Sequence, residues 1–399
     1  MNIIFLAHNC NISFIENEIL SLINNPSISQ LKIYTDFPID NVNIAFHDKC
    51  IVTIYSRSNY PLLKIRKWPL IIREFFANLV WYIRNNRLRE LNSILRDHLR
   101  KASVIFENGI GQTDVLYSYW AGSSAFILSS LKLHGLRNLF VTRLHGFDLY
   151  LDGSNKGHIP WRKFIFSKVN FLLPVSKFGE HYLLRNYPDL FAEKTRTSYL
   201  GINTEDPILN LINSDDGNLK LVSCGWVGNH KNLKGIFDSL KNESSIEWTH
   251  IGDGEHFEQL KQHVSTTNCL KVNLVGKKSQ KELMSYYRNN PITCFISLSP
   301  SEGLPVSMME AMAHGIPVVS TDVGGCSEIV NENTGVLLPK NYTDEDVRKA
   351  VYLCAEKFSS REARQKIQDF IKENFDAEKN YGKFVDFLEA ENKKHHEKL

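Results

Sequence analysis

No stretch of this 399-residue chain approaches the roughly 18 consecutive apolar residues of a membrane-crossing helix. The first apolar run, Ile3 to Ala7, is too short for the core of a signal peptide and has no basic leader, so it reads as a buried strand. The seven cysteines are scattered through mostly apolar segments, with no C-x-x-C pair and no histidine at zinc spacing. Their pattern argues against a disulfide scaffold and a structural metal, and for reduced core cysteines in a cytoplasmic protein. The first strand runs into His8-Asn9-Cys10-Asn11-Ile12-Ser13 and not into G-x-G-x-x-G, which argues against a dinucleotide-binding dehydrogenase. Internal repeats and low-complexity tracts are missing too, apart from a charged tail from Glu391 onward.

What is present is an ordinary globular composition, 43% hydrophobic and 23% charged, in a chain long enough for two separate cores. Short β-like runs alternate with longer helical ones, the pattern of parallel sheets covered on both faces. In the first half the expected strands are Ile3 to Ala7, Leu31 to Tyr34, Ser103 to Phe106, Asn138 to Thr142, Phe171 to Pro174 and Thr197 to Leu200. In the second half they are Lys220 to Ser223, Trp248 to Ile251, Val272 to Val275, Thr293 to Ser297, Pro317 to Ser320 and Val336 to Leu338. The polar stretch Asn203 to Asn218 is the natural linker. The expected organisation is an α/β chain of two Rossmann-like domains, 1–203 and 204–375, with a last helix in 376–399. Two such domains facing one another leave a cleft at the C-terminal ends of their strands, where doubly wound sheets bind ligands.

The segment Ser301 to Glu328, SEGLPVSMMEAMAHGIPVVSTDVGGCSE, is the most informative. Glu302 and Glu310 stand on either side of a loop that turns into a helix. Pro305 suits a first helical turn, where its missing N–H costs nothing, and Met308 to Ala313 propagate the helix. The free amides of that first turn and the helix dipole make a site for a diphosphate, and Gly303 lets backbone approach closely. Glu310 lies about two turns further on, at ~1.5 Å rise per residue, so the carboxylates bracket a phosphate. One can face a sugar and the other a ribose. Gly315 ends the helix, Pro317 to Thr321 reads as a buried strand, and Gly324-Gly325 opens a second tight turn.

Other stretches have the same character. Strand Lys220 to Ser223 runs through Cys224-Gly225-Trp226-Val227-Gly228-Asn229-His230-Lys231 into a helix, which puts Lys231 near a helix N-terminus, available to a diphosphate or simply solvated. Trp248-Thr249-His250-Ile251-Gly252-Asp253-Gly254 is a strand ending in a Gly-bounded turn, with His250 a structural histidine. Val275-Gly276-Lys277 precedes the helix Ser279 to Asn289. Thr142-Arg143-Leu144-His145-Gly146-Phe147-Asp148 ends a strand in a His-Gly turn; His145 can hydrogen-bond a hydroxyl, and Asp148 can orient the turn or accept a proton.

Together these segments resemble the retaining GT-B glycosyltransferases of family 4, in particular bacterial enzymes of exopolysaccharide, colanic acid and O-antigen assembly. The glutamates match the family's E-x7-E motif. The resemblance implies a GT-B fold and transfer of a sugar from a UDP- or GDP-type nucleotide sugar to a saccharide acceptor, with no metal and no other cofactor. By the same resemblance Glu302, His145 and Asp148 are candidates for the catalytic set. Lys231, Lys234, Gly303, Leu304, Val306, Glu310, Gly276 and Lys277 are candidates for holding the donor. Trp226 stands where the family usually carries an arginine, and Lys234 is the candidate to supply that charge. A protein or teichoic acid acceptor and a non-catalytic nucleotide-sugar-binding subunit are the alternatives.

One region is compositionally distinct. Between Arg57 and Lys101 eleven Lys and Arg face only Glu74, Glu90 and Asp97, in a chain whose net charge is +3. Trp68, Phe75, Phe76, Trp81 and Tyr82 interleave with them, and Leu88, Leu91, Leu95 and Leu99 recur at helical spacing. The segment reads either as a peripheral contact with anionic lipid, where a lipid-linked acceptor resides, or as an amphipathic helix with a solvated basic face. No recognition module for nucleic acid accompanies the charge.

Overall fold

The computed structural model of the protein describes residues 1–55, 76, 79–84, 88–151, 158–187, 192–204, 209, 217–266 and 269–399. They divide into two compact units, unit 1 comprising Met1–Gly201 with Ala377–Leu399, and unit 2 comprising Ile202–Asp376. Most of the linker expected at 203–218 and much of the basic segment at 57–101 fall outside the described residues.

Unit 1 is built on one sheet of β1 Asn2–Leu6, β2 Gln30–Thr35, β3 Cys50–Ile54, β4 Val115–Ser118, β5 Phe140–Leu144 and β6 Phe171–Pro174. Its order is β3-β2-β1-β4-β5-β6 and each pairing is parallel. Parallel neighbours require crossover connections, and the helices in those crossovers cover both faces of the sheet. Strand β1 shows the consequence. Ile3 and Phe5 enter one core with Ile15 and Ile19 of helix Ser13–Asn24, while Ile4 and Leu6 enter the other with Phe126 and Leu128 of helix Ser123–Leu133. This is the period-two alternation of a strand with two buried faces. Phe384, Val385 and Leu388 of the last helix, Ala377–Glu397, join the first of these cores, so the end of the chain packs on the beginning.

Unit 2 repeats the plan with β7 Leu219–Cys224, β8 Ile246–Ile251, β9 Lys271–Leu274, β10 Cys294–Ser297, β11 Val318–Thr321 and β12 Gly335–Leu338. The order is β12-β11-β10-β7-β8-β9, again parallel.

The structure corrects the expected strands in the first half. Ser103 to Phe106 is the last turn of helix Leu88–Glu107, because its apolar residues continue a helical stripe from Leu95 and Leu99 and only their β-branched character mimics a strand. Thr197 to Leu200 forms no strand. Two true strands lack a sequence signal of their own kind: β3 is a half-exposed edge strand, and β4 is four residues long and buried throughout.

One buried ion pair ties unit 1 together. Arg143, fully buried on β5, donates from Nη2 to Glu18 Oε1 at 3.0 Å and from Nε to the Tyr117 hydroxyl at 2.8 Å. That hydroxyl donates to the same carboxylate oxygen at 2.6 Å, and Arg143 Nη1 donates to the Ser198 carbonyl at 2.6 Å. Burial pushes the Glu18 carboxyl up, and the Arg143 charge and the Tyr117 bond offset that only in part. Removing one partner strands the other charge in the core. Arg143→Leu is therefore expected to lower the unfolding free energy by about 3–5 kcal/mol, and the double variant Glu18→Leu/Arg143→Leu to recover much of the loss. Urea denaturation of the three proteins checks this, and equal loss in single and double variants would contradict it.

Candidate active site

The chain leaves the second sheet in opposite directions from two adjacent strands, β7 and β10, so their C-terminal ends flank its topological switch point. Lys231 and Glu302 come from these two ends. Strand β7 runs through Gly225 to the three-residue turn Asn229–Lys231, and the chain then enters helix Leu233–Leu240 by way of Asn232, at φ +47°. Strand β10 runs into the loop that carries Glu302. Across the gap Lys231 Nζ donates to Glu302 Oε1 at 2.7 Å, with both side chains mostly buried. Burial pulls the Lys231 pKa down, but the Glu302 carboxylate outweighs it and holds the ammonium above its ordinary value.

The turn after β11 holds the Glu302 loop in place. Thr321 Oγ1 donates to the Ser299 carbonyl at 2.6 Å, and the Gly325 amide donates to the Gly303 carbonyl at 2.9 Å. Gly324 sits at φ +55°, and a Cβ there would lie 1.7 Å from the Glu302 carbonyl oxygen, so only glycine permits this approach. Helix Val306–Ala313 then begins, with Pro305 one residue outside it as the N-cap. Among the described residues the amides of Gly303, Leu304, Val306 and Ser307 have no hydrogen-bond acceptor. Free amides at a helix N-terminus beside an ammonium are groups able to hold an anion.

Glu310 stands on the same helix, buried, and its Oε1 accepts from Gln280 Nε2 at 2.8 Å. Burial pushes its pKa up to about 7, with the Gln280 bond pulling the other way. Gln280 opens helix Gln280–Asn289, whose start is fixed by a capping box between Ser279 and Glu282. The Ser279–Glu282 pattern is legible in the sequence, but nothing in the sequence links Gln280 to Glu310.

The remaining candidates divide. Gly276 accepts from the Gly252 amide at 2.9 Å through its carbonyl and is followed by the exposed Lys277. Gly252 packs so tightly that a Cβ would lie 1.8 Å from the Gly225 carbonyl oxygen. Lys234 is exposed and lines a different cavity of about 380 Å³ with His256 and His263, so it does not join Lys231 on Glu302. His250 is buried against Ser223, with 2.8 Å between Nδ1 and Oγ, as a structural histidine.

In unit 1, His145 and Asp148 form a capping box on helix Gly146–Leu149. The two Asp148 oxygens take the amides of His145 at 2.6 Å and Ala121 at 2.7 Å. Of the two roles open to Asp148, orienting the turn is the one its contacts serve. Burial pushes its pKa up to about 7, against the pull of those amides. The His145 ring stacks on Tyr119, its Nε2 lies 3.2 Å from the Tyr119 carbonyl, and burial lowers its pKa to about 3. It offers hydrogen bonding without charge.

Residues 208–380 match the family of glycosyl transferases group 1. Over 234 residues the chain is 32% identical to the amylovoran biosynthesis glycosyltransferase AmsK of Erwinia amylovora, a stretch covering 55% of this chain and 56% of that one. Over 97 residues it is 35% identical to the O-antigen biosynthesis glycosyltransferase WbnH of Escherichia coli, covering 24% of this chain and 26% of that one. The matches thus span about half the length of the first relative and about a quarter of the second. Among solved structures, Anabaena HepE in complex with UDP-glucose superposes with a TM-score of 0.70 at 13% identity, covering 98% of this chain and 100% of that one. The fold is GT-B, built on two parallel α/β sheets.

The raised pKa of Glu310 has a measurable sign. The unfolded chain loses this proton near 4.5 and the folded one keeps it to about 7, so the folded state binds more protons between those values. Stability relative to Glu310→Gln should fall as pH rises through that window, by up to about 3 kcal/mol, and level off above it. Unfolding free energies of both proteins at pH 5, 6, 7 and 8 provide the test; parallel curves would refute it.

Proposed function

We propose that the protein is a retaining glycosyltransferase that moves a sugar from a nucleoside diphosphate sugar to a bacterial surface polysaccharide, built on a lipid-linked oligosaccharide. The observation that carries this reading is the Lys231–Glu302 pair at the switch point of unit 2, beside four free amides at the start of helix Val306–Ala313. The family match over residues 208–380 and the names of the polysaccharide-assembling relatives support it.

In this reading the diphosphate takes the place that the Glu302 carboxylate now has on Lys231. The ammonium and the amides of Gly303 and Leu304 neutralise the charge of the departing diphosphate without a metal. Glu302, released from the ammonium, turns to the donor sugar and stabilises the positive charge that develops at the anomeric carbon. Glu310 accepts hydrogen bonds from the ribose hydroxyls, which favour its ionised form. The acceptor oxygen bonds to the anomeric carbon on the face from which phosphate departs, and its proton passes to the departing phosphate oxygen. Trp226, 55% exposed in place of the usual arginine, leaves Lys231 as the principal cation of the site.

Release of nucleoside diphosphate from a panel of UDP- and GDP-sugars, with a membrane lipid extract as acceptor source, tests this directly. One donor should turn over, and Lys231→Met and Glu302→Ala should each lower kcat by about a hundredfold or more. EDTA should leave the rate unchanged. A donor that binds tightly while no extract supports release would favour the binding-subunit reading instead.

The same reading places the protein at the cytoplasmic membrane face. Of the basic segment 57–101, the described residues Phe76, Val80 and Ile83 are exposed at helical spacing, the arrangement of an interfacial apolar stripe in a cationic setting. Among the described residues no helix is long and apolar enough to cross a membrane. Flotation should recover the protein with vesicles containing phosphatidylglycerol and not with pure phosphatidylcholine, and Val80→Asp/Ile83→Asp should abolish recovery. Equal flotation with both vesicles would rule out an electrostatic contact.

A further inference from the structure

His230 stands next to Lys231 on the three-residue turn Asn229–Lys231, exposed at the surface of unit 2. Its ring converges with that of Trp226. A Cβ added at Gly228 would lie 3.0 Å from Trp226 Cδ1 and 3.3 Å from His230 Cε1, so indole and imidazole meet over the same point of backbone. Three charged side chains act on the imidazole: Lys231 from its own turn, Glu302 from the loop after β10, and Glu255 from the turn after β8. Burial, followed by the Lys231 charge, lowers the His230 pKa below its ordinary value, and the two carboxylates offset this only in part. The imidazole is therefore neutral near pH 7 and close enough to the Lys231–Glu302 pair to respond when its charge balance changes.

That balance is short of positive charge. Lys231 and Glu302 cancel one another, Lys234 lines a different cavity, and Trp226 carries no charge. The diphosphate of a nucleotide sugar has two fixed negative charges at neutral pH. A neutral imidazole beside an incoming anion gains affinity for a proton, because a nearby opposite charge favours the charged form. The proton comes from solvent, and anion binding and protonation strengthen each other by the same factor.

We propose that His230 takes up a proton when a nucleotide sugar binds and, as imidazolium, supplies the second positive charge at the diphosphate beside Lys231. The assignment rests on the reading of the donor site above and deepens it, because donor affinity then depends on pH through a residue outside the Glu302–Glu310 motif.

Calorimetry on the full chain tests this with UDP-glucose, UDP-N-acetylglucosamine and GDP-mannose at pH 6 and pH 8, for wild type, His230→Gln, His230→Lys and Trp226→Arg/His230→Gln. These donors keep the same charge across that range, so a change in proton count belongs to the protein. Glu310 is present in all four proteins, and comparing them at one pH removes its effect. Wild type should bind the donor about tenfold more tightly than His230→Gln at pH 6 and about equally at pH 8. His230→Lys and Trp226→Arg/His230→Gln, with a permanent charge, should restore binding at both. NMR of the imidazole nitrogens should show the His230 pKa rising by about one unit or more when donor is added. A merely structural histidine would give the same ratio of wild type to His230→Gln at both pH values. That result, a His230 titration unmoved by bound donor, or failure of His230→Lys to restore binding at pH 6 overturns the proposal and leaves the donor site standing. If no donor binds wild type, the donor assignment is overturned and the proposal falls with it.

Discussion

The arrangement of unit 2 depends on one opposite-charge contact, Lys231 with Glu302, made across the switch point of a parallel sheet. A lysine and a carboxylate mostly removed from water stabilise one another as a pair, and each is brought there by backbone that has little freedom to move. Gly324 passes under Glu302 at a distance no side chain would allow, and the turn Asn229–Lys231 places the ammonium directly above the end of β7. In the proposed reading a diphosphate, which carries more negative charge than one carboxylate and can also engage the free amides, competes for Lys231. Pairing with Glu302 keeps the Lys231 ammonium charged and positioned.

Unit 1 uses buried polarity differently. The Glu18–Arg143–Tyr117 network is almost closed on itself and joins helix Ser13–Asn24 to β4 and β5, with Phe384 of the last helix stacked 4.9 Å from the guanidinium. It fixes the β5 end from which the His145 turn projects. Its energetic role is to penalise any packing in which either charge lacks the other.

Legibility in the sequence followed the range of the interaction. The S-E-G-L-P-V-S run, the Ser279–Glu282 cap and the Gly-bounded strand ends are local, and they put the loop, helix and turn around Glu302 where the structure has them. Helix Leu88–Glu107 was harder to read, since Ser103 to Phe106 satisfies strand propensity and only the longer 3.6-residue period places it in a helix. Lys234 illustrates the opposite limit. It is three residues from Lys231, but the αL residue Asn232 and the start of helix Leu233–Leu240 turn it toward another cavity.

By itself the sequence determined the class of the fold and the loop-to-helix unit that carries Glu302 and Glu310, because period, turn chemistry and spacing are properties of contiguous chain. Only the tertiary structure decided which groups meet. The pairing of Lys231 with Glu302 over 71 positions, of Gln280 with Glu310 over 30, and of Arg143 with Glu18 over 125 depends on which strands are neighbours. Strand order is set by how the two faces of each sheet are covered, and no local pattern encodes that.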